Sequence, residues 1–99
     1  MTEEHPKTAE DIPLPGGDFR LFVTRLSFQG MLCLGLMENP VTGSREVNLT
    51  QARMILEDLI MLQERTIGNL TEDEDNHLRK VVSDLQHMFA KVEKAAGPG

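Results

Sequence analysis

The sequence has no tryptophan and no tyrosine, and its only aromatic residues are four phenylalanines. It has a single cysteine, Cys33, which excludes an intramolecular disulfide framework and fits a reducing compartment. Ten lysines and arginines are scattered along the chain against sixteen aspartates and glutamates. Because nucleic acids and anionic lipids are bound by clustered cations, the net charge of −6 argues against both as partners.

The ends of the chain lack the composition of folded protein. Residues 1–17 combine prolines, glycines and acids, which bury too little apolar surface to offset chain entropy, so we predict a disordered acidic arm. Residues 95–99 end in Gly-Pro-Gly and predict a disordered tail. Residues 18–94 remain as a single helical domain, small enough that oligomerisation is a common source of stability. No secretory signal pattern precedes residue 19, so we expect a cytoplasmic protein.

The segment Phe19–Met37 is the most apolar part of the chain and predicts a first helix, capped by Asp18 and stopped before Pro40. Its apolar side chains cover about 240° of the helix circumference, whereas a surface helix needs a stripe of about 100°. The segment is nevertheless too polar for a membrane span, since Arg25 and Gln29 interrupt it. Two neighbouring helices of one short chain cannot easily cover such an arc. The sequence therefore predicts a partner, most simply a second copy.

Capping chemistry predicts two further helices. Asn48, with Gln51 three residues on, opens a second helix that runs to about Thr66, and Thr71 with Glu74 forms a capping box that opens a third. Only about four residues separate these helices, so they should form an antiparallel hairpin. The predicted fold is all-α: a helix, a long loop and an antiparallel helical hairpin, assembled as a homodimeric helical bundle.

The predicted self-association surface lies on the first helix. We assign it to Phe22, Arg25, Leu26, Phe28, Leu32 and Leu36. Because burying an unpaired guanidinium is costly, we predict that Arg25 is ion-paired at or near the interface, with Glu57 or Asp58 as the available acids. Two methionines of the second helix, Met54 and Met61, form a separate narrow stripe on which we expect a minor contact.

No catalytic, cofactor or metal site is predicted. His77 and His87 are ten residues apart, which places them about 15 Å apart along a helix axis, too far to share an ion. Cys33 lies late in an apolar helix without a cationic neighbour, so it is better explained as a small buried hydrophobe than as a nucleophile. Gly30 inside the first helix predicts a close helix crossing. Serine-hydrolase, phosphate-loop and zinc-protease motifs do not occur.

Several stretches resemble a known family. They are Phe22 to Leu36, Ala52-Arg53, the run from Met61 to Thr71, and the following Glu74 and Leu78. Together they resemble a family of small bacterial proteins catalogued as a domain of unknown function, number 1844, over residues from about 19 to 92. The run Leu62-Gln-Glu-Arg-Thr-Ile-Gly-Asn-Leu-Thr71 is the most specific part. The resemblance implies an all-helical bacterial protein with a variable charged N-terminal arm, and it implies no activity and no site residues.

The function that these patterns favour is a non-enzymatic homodimeric module that binds another protein through the acidic arm or an apolar groove. One alternative is peripheral association with a membrane through the first helix, which has the apolar face but lacks a lysine-rich polar side and a tryptophan or tyrosine belt. Another is a small enzyme or ligand-binding protein with a site between two subunits.

Overall fold

The computed structural model describes residues 16–97 and shows three α-helices, α1 (Phe19–Cys33), α2 (Leu49–Arg65) and α3 (Glu72–Ala95). Each helix packs against the other two, and no β-strand forms in this part of the chain apart from one isolated bridge. The predicted all-α, three-helix fold is confirmed. Most of the predicted acidic arm and the end of the predicted tail lie outside the described residues, so both stay predictions.

All three helices begin where the capping residues predicted. The Asp18 and Asn48 side chains each accept a hydrogen bond at 3.0 Å from the backbone N–H three residues on. At α3, Thr71 and Glu74 form both hydrogen bonds of a capping box, at 3.1 and 2.9 Å. These bonds satisfy N–H groups that have no acceptor within the first helical turn.

The first helix ends earlier than predicted, at Cys33 and not at Met37. Gly35 has a φ of +73°, a left-handed conformation that favours glycine. Its N–H donates to the Leu32 carbonyl at 3.1 Å, and the N–H of Leu36 donates to the Met31 carbonyl at 3.0 Å. This pair of bonds is a Schellman motif, which satisfies carbonyls of the last helical turn and ends the helix before Pro40 can do so.

The loop between α1 and α2 folds back onto the end of α1. Leu34 pairs with Val47 in an isolated antiparallel bridge, and the N–H of Asn48 donates to the Cys33 carbonyl at 2.7 Å. Leu34 is thereby almost completely buried although it lies outside the helix. The loop thus adds one leucine to the core and holds the start of α2 against the end of α1.

The core lies between the three helices and consists of aliphatic side chains and one phenylalanine. Its buried members are Val23, Leu34, Ala52, Ile55, Leu59, Leu78, Val81, Val82, Leu85 and Phe89. Gly30 is buried against α3, and a Cβ atom built on it would lie 2.9 Å from Cδ2 of Leu85. The predicted close helix crossing at Gly30 is confirmed.

Contacts between the helices fix their relative directions. The Cys33 thiol lies 3.6 Å from Oε1 of Gln51, so the end of α1 meets the start of α2 and the two helices run antiparallel. The start of α1 meets the start of α3, where Oγ1 of Thr24 lies 2.9 Å from Nε2 of His77, so these two helices run parallel. The α2–α3 hairpin is antiparallel, as predicted, and Arg53 links its open end.

Arg53 makes two contacts there. Its guanidinium lies 5.0 Å from the ring centroid of Phe89 and 3.3 Å from the Glu93 carboxylate.

Candidate functional site

Two phenylalanines of α1 remain exposed in the folded protomer. Phe22 is 40% and Phe28 is 50% exposed, and Leu36, just beyond the helix, is 39% exposed. All three belong to the predicted self-association surface. The protomer therefore leaves uncovered a substantial part of the apolar circumference that the sequence pattern assigned to a partner.

The other predicted interface residues are placed differently. Leu26 is half-buried and packs against the protomer's own core. Leu32 is also half-buried and lines a shallow depression together with residues of the loop that precedes α2. Arg25 is exposed and lines another depression beside Phe19 and Phe22. Among the predicted residues of α1, Phe22 and Phe28 are thus the exposed apolar side chains, and the self-association surface itself stays a prediction.

Arg25 does not form an ion pair with the acids that the sequence offered. The salt bridges within residues 16–97 join Arg53 to Glu93, Arg79 to Asp75, and Lys80 to Asp84. Glu57 and Asp58 on α2 are both exposed. An ion pair of Arg25 across an interface, as distinct from one within the protomer, stays a prediction.

The second helix also exposes large apolar side chains, which sequence reasoning treated as a minor contact. Met54 is 50% and Met61 is 48% exposed. Seven residues separate them, so at about 100° per residue they lie on the same side of α2. The buried Ala52, Ile55 and Leu59 occupy the opposite side. The spacing of seven residues between Met54 and Met61 was the available signal in the sequence, but only the packing of α2 shows that this side of the helix is exposed.

The exposed residues of α1 and α2 lie on the same face of the bundle. On α1, Cys33 marks the side that contacts α2, and Gly30 marks the side that contacts α3. Measured around the helix axis, Arg25 lies about 80° from Cys33, on the side away from Gly30. On α2, Gln51 marks the side that contacts α1, and Ala52 is buried in the core. Measured around the helix axis, Met54 lies about 60° from Gln51, on the side away from Ala52. Both directions point away from α3.

We call this surface the α1–α2 face. It comprises Phe22, Arg25, Phe28, Met54, Asp58 and Met61.

The opposite side of the bundle has a different character. Among residues 16–97, the exposed large hydrophobic side chains lie on α1, α2 and the connections, and none lies on α3. The outward side of α3 instead carries ion pairs one helical turn apart, Asp75 with Arg79 and Lys80 with Asp84. The molecule thus has a polar side formed by α3 and an apolar side formed by the α1–α2 face.

Groups that could support chemistry are few in the described part of the chain. No cluster of three or more histidine, cysteine, aspartate or glutamate side chains suited to a metal ion occurs among residues 16–97. Cys33 is half-buried, and its burial raises the pKa of the thiol above the ordinary value, which lowers the fraction of reactive thiolate. Its thiol donates to Gln51. His77 hydrogen-bonds to Thr24 and so contributes to helix packing.

None of the three helices, within the residues that the structure covers, combines the length and the apolar character needed to cross a lipid bilayer. The longest of them, α3, is strongly charged along its exposed side.

Comparison with known proteins adds one match. No curated protein and no solved structure matches the chain. A family model described as Domain of unknown function (DUF1844) matches residues 17–91, which include α1, α2 and most of α3. The match covers most of the chain and contains the run from Leu62 to Thr71 that carried the resemblance. The chain therefore belongs to the family DUF1844.

Proposed function

We propose that this protein is a non-enzymatic homodimer of the cytoplasm that acts as a protein-interaction module, with the exposed side of α1 as its self-association surface. The observation that carries the proposal is the exposure of Phe22 and Phe28 on a helix that also packs into the bundle through buried Val23 and Gly30. Dimerisation would remove the exposed part of each phenylalanine side chain from contact with water.

The energetics favour burial of these side chains. Taking a phenylalanine from full exposure to full burial contributes about 1.5–3 kcal/mol, and covering the roughly half of Phe22 and Phe28 that is still exposed would contribute part of that amount. A protomer with a core of about ten buried residues has little stability to spare. A contiguous exposed apolar patch rimmed by polar residues is typical of a protein interface. A second copy supplies a matching apolar patch, because a twofold interface uses the same surface on both subunits.

A protein partner fits this surface better than a membrane does. The chain carries a net charge of −6, and Asp58 and Glu57 lie beside the exposed methionines, whereas helices that bind membrane surfaces carry lysine or arginine along their polar side. An interaction with another protein would use the acidic N-terminal arm or apolar side chains outside the dimer surface. Ile67, 78% exposed at the α2–α3 turn, is one such side chain.

The test is the molar mass in solution, measured by size-exclusion chromatography with light scattering. The wild-type chain at micromolar concentration should have twice its mass of 11.1 kDa. Phe28→Glu should be monomeric, because the substitution places two carboxylates in the apolar interface. Ile67→Glu is the matched control, an exposed apolar side chain away from the α1–α2 face, and should remain dimeric. A wild-type chain that stays monomeric up to about 100 μM, where even weak dimers form, would refute the proposal.

A further inference from the structure

We propose that the dimer is an antiparallel four-helix arrangement in which α1 of each subunit packs on α2 of the other, and that Arg25 forms an ion pair with Asp58 of the partner subunit. This inference rests on the proposed homodimer and specifies its geometry. Both helices of the α1–α2 face contribute, so that α3 lies on the outside of each subunit.

The distribution of apolar residues supports the use of both helices. If α1 alone mediated the contact, Met54 and Met61 would remain half exposed in the dimer. When the α1–α2 faces of two copies meet, the phenylalanines of α1 lie over the methionines of α2. Thioether sulfur and aromatic rings make favourable contacts, and the flexible methionine side chains adapt to the ring shape.

The charges of the two helices select which helix packs on which. Arg20 and Arg25 are the only charged residues of α1, so this helix is purely cationic. The α1–α2 face of the second helix presents Asp58, with Glu57 nearby. Packing α1 on α1 would bring two Arg25 guanidinium groups close together, whereas packing α1 on α2 places opposite charges together at two symmetric positions. Electrostatic complementarity therefore favours the second arrangement.

The positions of the residues along the helices agree with this arrangement. Counting eight residues back from Cys33 reaches Arg25, and counting eight forward from its contact Gln51 reaches Leu59. The two helices α1 and α2 are antiparallel and rise by the same amount, about 1.5 Å per residue. Arg25 therefore lies at the same height along the helix axis as Leu59, and one residue's rise from Asp58. A twofold axis parallel to the helices leaves these heights unchanged. Arg25 is then also level with Asp58 of the partner subunit.

The same counting aligns the apolar residues. Phe22 lies eleven residues before Cys33, and Leu62 lies eleven after Gln51, so Phe22 is next to the level of Met61 of the partner subunit. Phe28 is level with Leu56 by the same rule, within about 3 Å along the axis of Met54 of the partner subunit. Each phenylalanine is thus close in height to a methionine of the partner subunit, and the height of the proposed ion pair lies between these two levels.

Charge reversal in separate chains tests the contact between subunits. Arg25→Glu and Asp58→Arg should each weaken dimerisation by at least about tenfold, because each places two like-charged pairs in the interface. Mixing the two variants should restore a heterodimer. In that heterodimer the glutamate introduced by the first variant faces the arginine introduced by the second, and the native Asp58 faces the native Arg25. Both pairs are then again of opposite charge. Light scattering gives the mass, and native mass spectrometry identifies the heterodimer.

Two matched controls are Arg20→Glu, on α1 away from the face, and Glu64→Arg, on the α3 side of α2; both should leave the dimer unchanged. Helical circular dichroism of each variant confirms that its protomer is folded. If the wild type is dimeric but either single reversal leaves the dimer unchanged, or the mixture fails to form a heterodimer, this geometry is wrong while the homodimer stands. A monomeric wild type refutes both proposals.

Discussion

At the scale of single residues, Gly30 decides how closely α1 approaches α3. A Cβ atom there would lie 2.9 and 3.1 Å from the two terminal methyl groups of Leu85, which is itself buried. Alanine is favoured over glycine inside a helix by about 1 kcal/mol, so the glycine is retained at a cost in helix propensity. The sequence predicted this crossing because a glycine inside an apolar helix favours the close approach of a second helix, but only the packing identifies Leu85 as the neighbour.

We expect Gly30→Ala to destabilise the protein by up to about 2 kcal/mol, because overpacking a core typically costs about 1–3 kcal/mol and outweighs the gain in helix propensity. In a Leu85→Val background, which shortens the neighbouring side chain by one carbon, the same change should be neutral or stabilising. Urea unfolding of the four proteins gives the coupling between the two positions. If Gly30→Ala changed the free energy of unfolding equally in both backgrounds, Leu85 would not be what limits how closely α1 approaches α3.

At the scale of elements, the sequence predicted helix starts better than the end of α1. Starts depend on local hydrogen bonds between a side chain and the backbone three residues on, and Asp18, Asn48 and Thr71 all make them. The first helix and its end contain glycine at positions 30 and 35, and the apolar pattern continues past both. The helix continues through Gly30 but ends just before Gly35. This difference arises because the loop that follows Gly35 folds back and packs against Leu34.

We expect Gly35→Ala to destabilise the protein by about 1–3 kcal/mol, since alanine is strained at this positive φ and its Cβ would lie 2.8 Å from Cγ2 of Val47. Gly43→Ala is the matched control. Gly43 has a similar φ of +72°, but no atom lies within 4 Å of the added Cβ. The Gly43→Ala variant should therefore lose only the stability that backbone strain costs, about 1 kcal/mol. Thermal or urea unfolding compares the two. Equal losses would mean that the contact with Val47 is unimportant for the loop.

At the scale of the whole molecule, the sequence predicted that α1 is too apolar for one chain to cover, and Phe22 and Phe28 remain exposed. It did not predict that α2 shares the exposed face, because Met54 and Met61 look alike in sequence whether they fill a core or line a surface. Which side of α2 is open depends on where α1 and α3 pack, and this is a property of the assembled bundle. The packing of half-buried Leu26 against the protomer's core has the same origin.

If dimerisation supplies part of the stability, unfolding of the wild-type protein must depend on its concentration. Mass action stabilises a dimer relative to unfolded monomers by about 2.7 kcal/mol for a hundredfold rise in concentration, which should raise the midpoint of thermal unfolding by several degrees. Phe28→Glu, as a folded monomer, should unfold at a temperature that does not depend on concentration. Differential scanning calorimetry at the two concentrations measures both proteins. A wild-type midpoint that stays constant would show that the protomer is stable alone, and the exposed phenylalanines would then require a different partner.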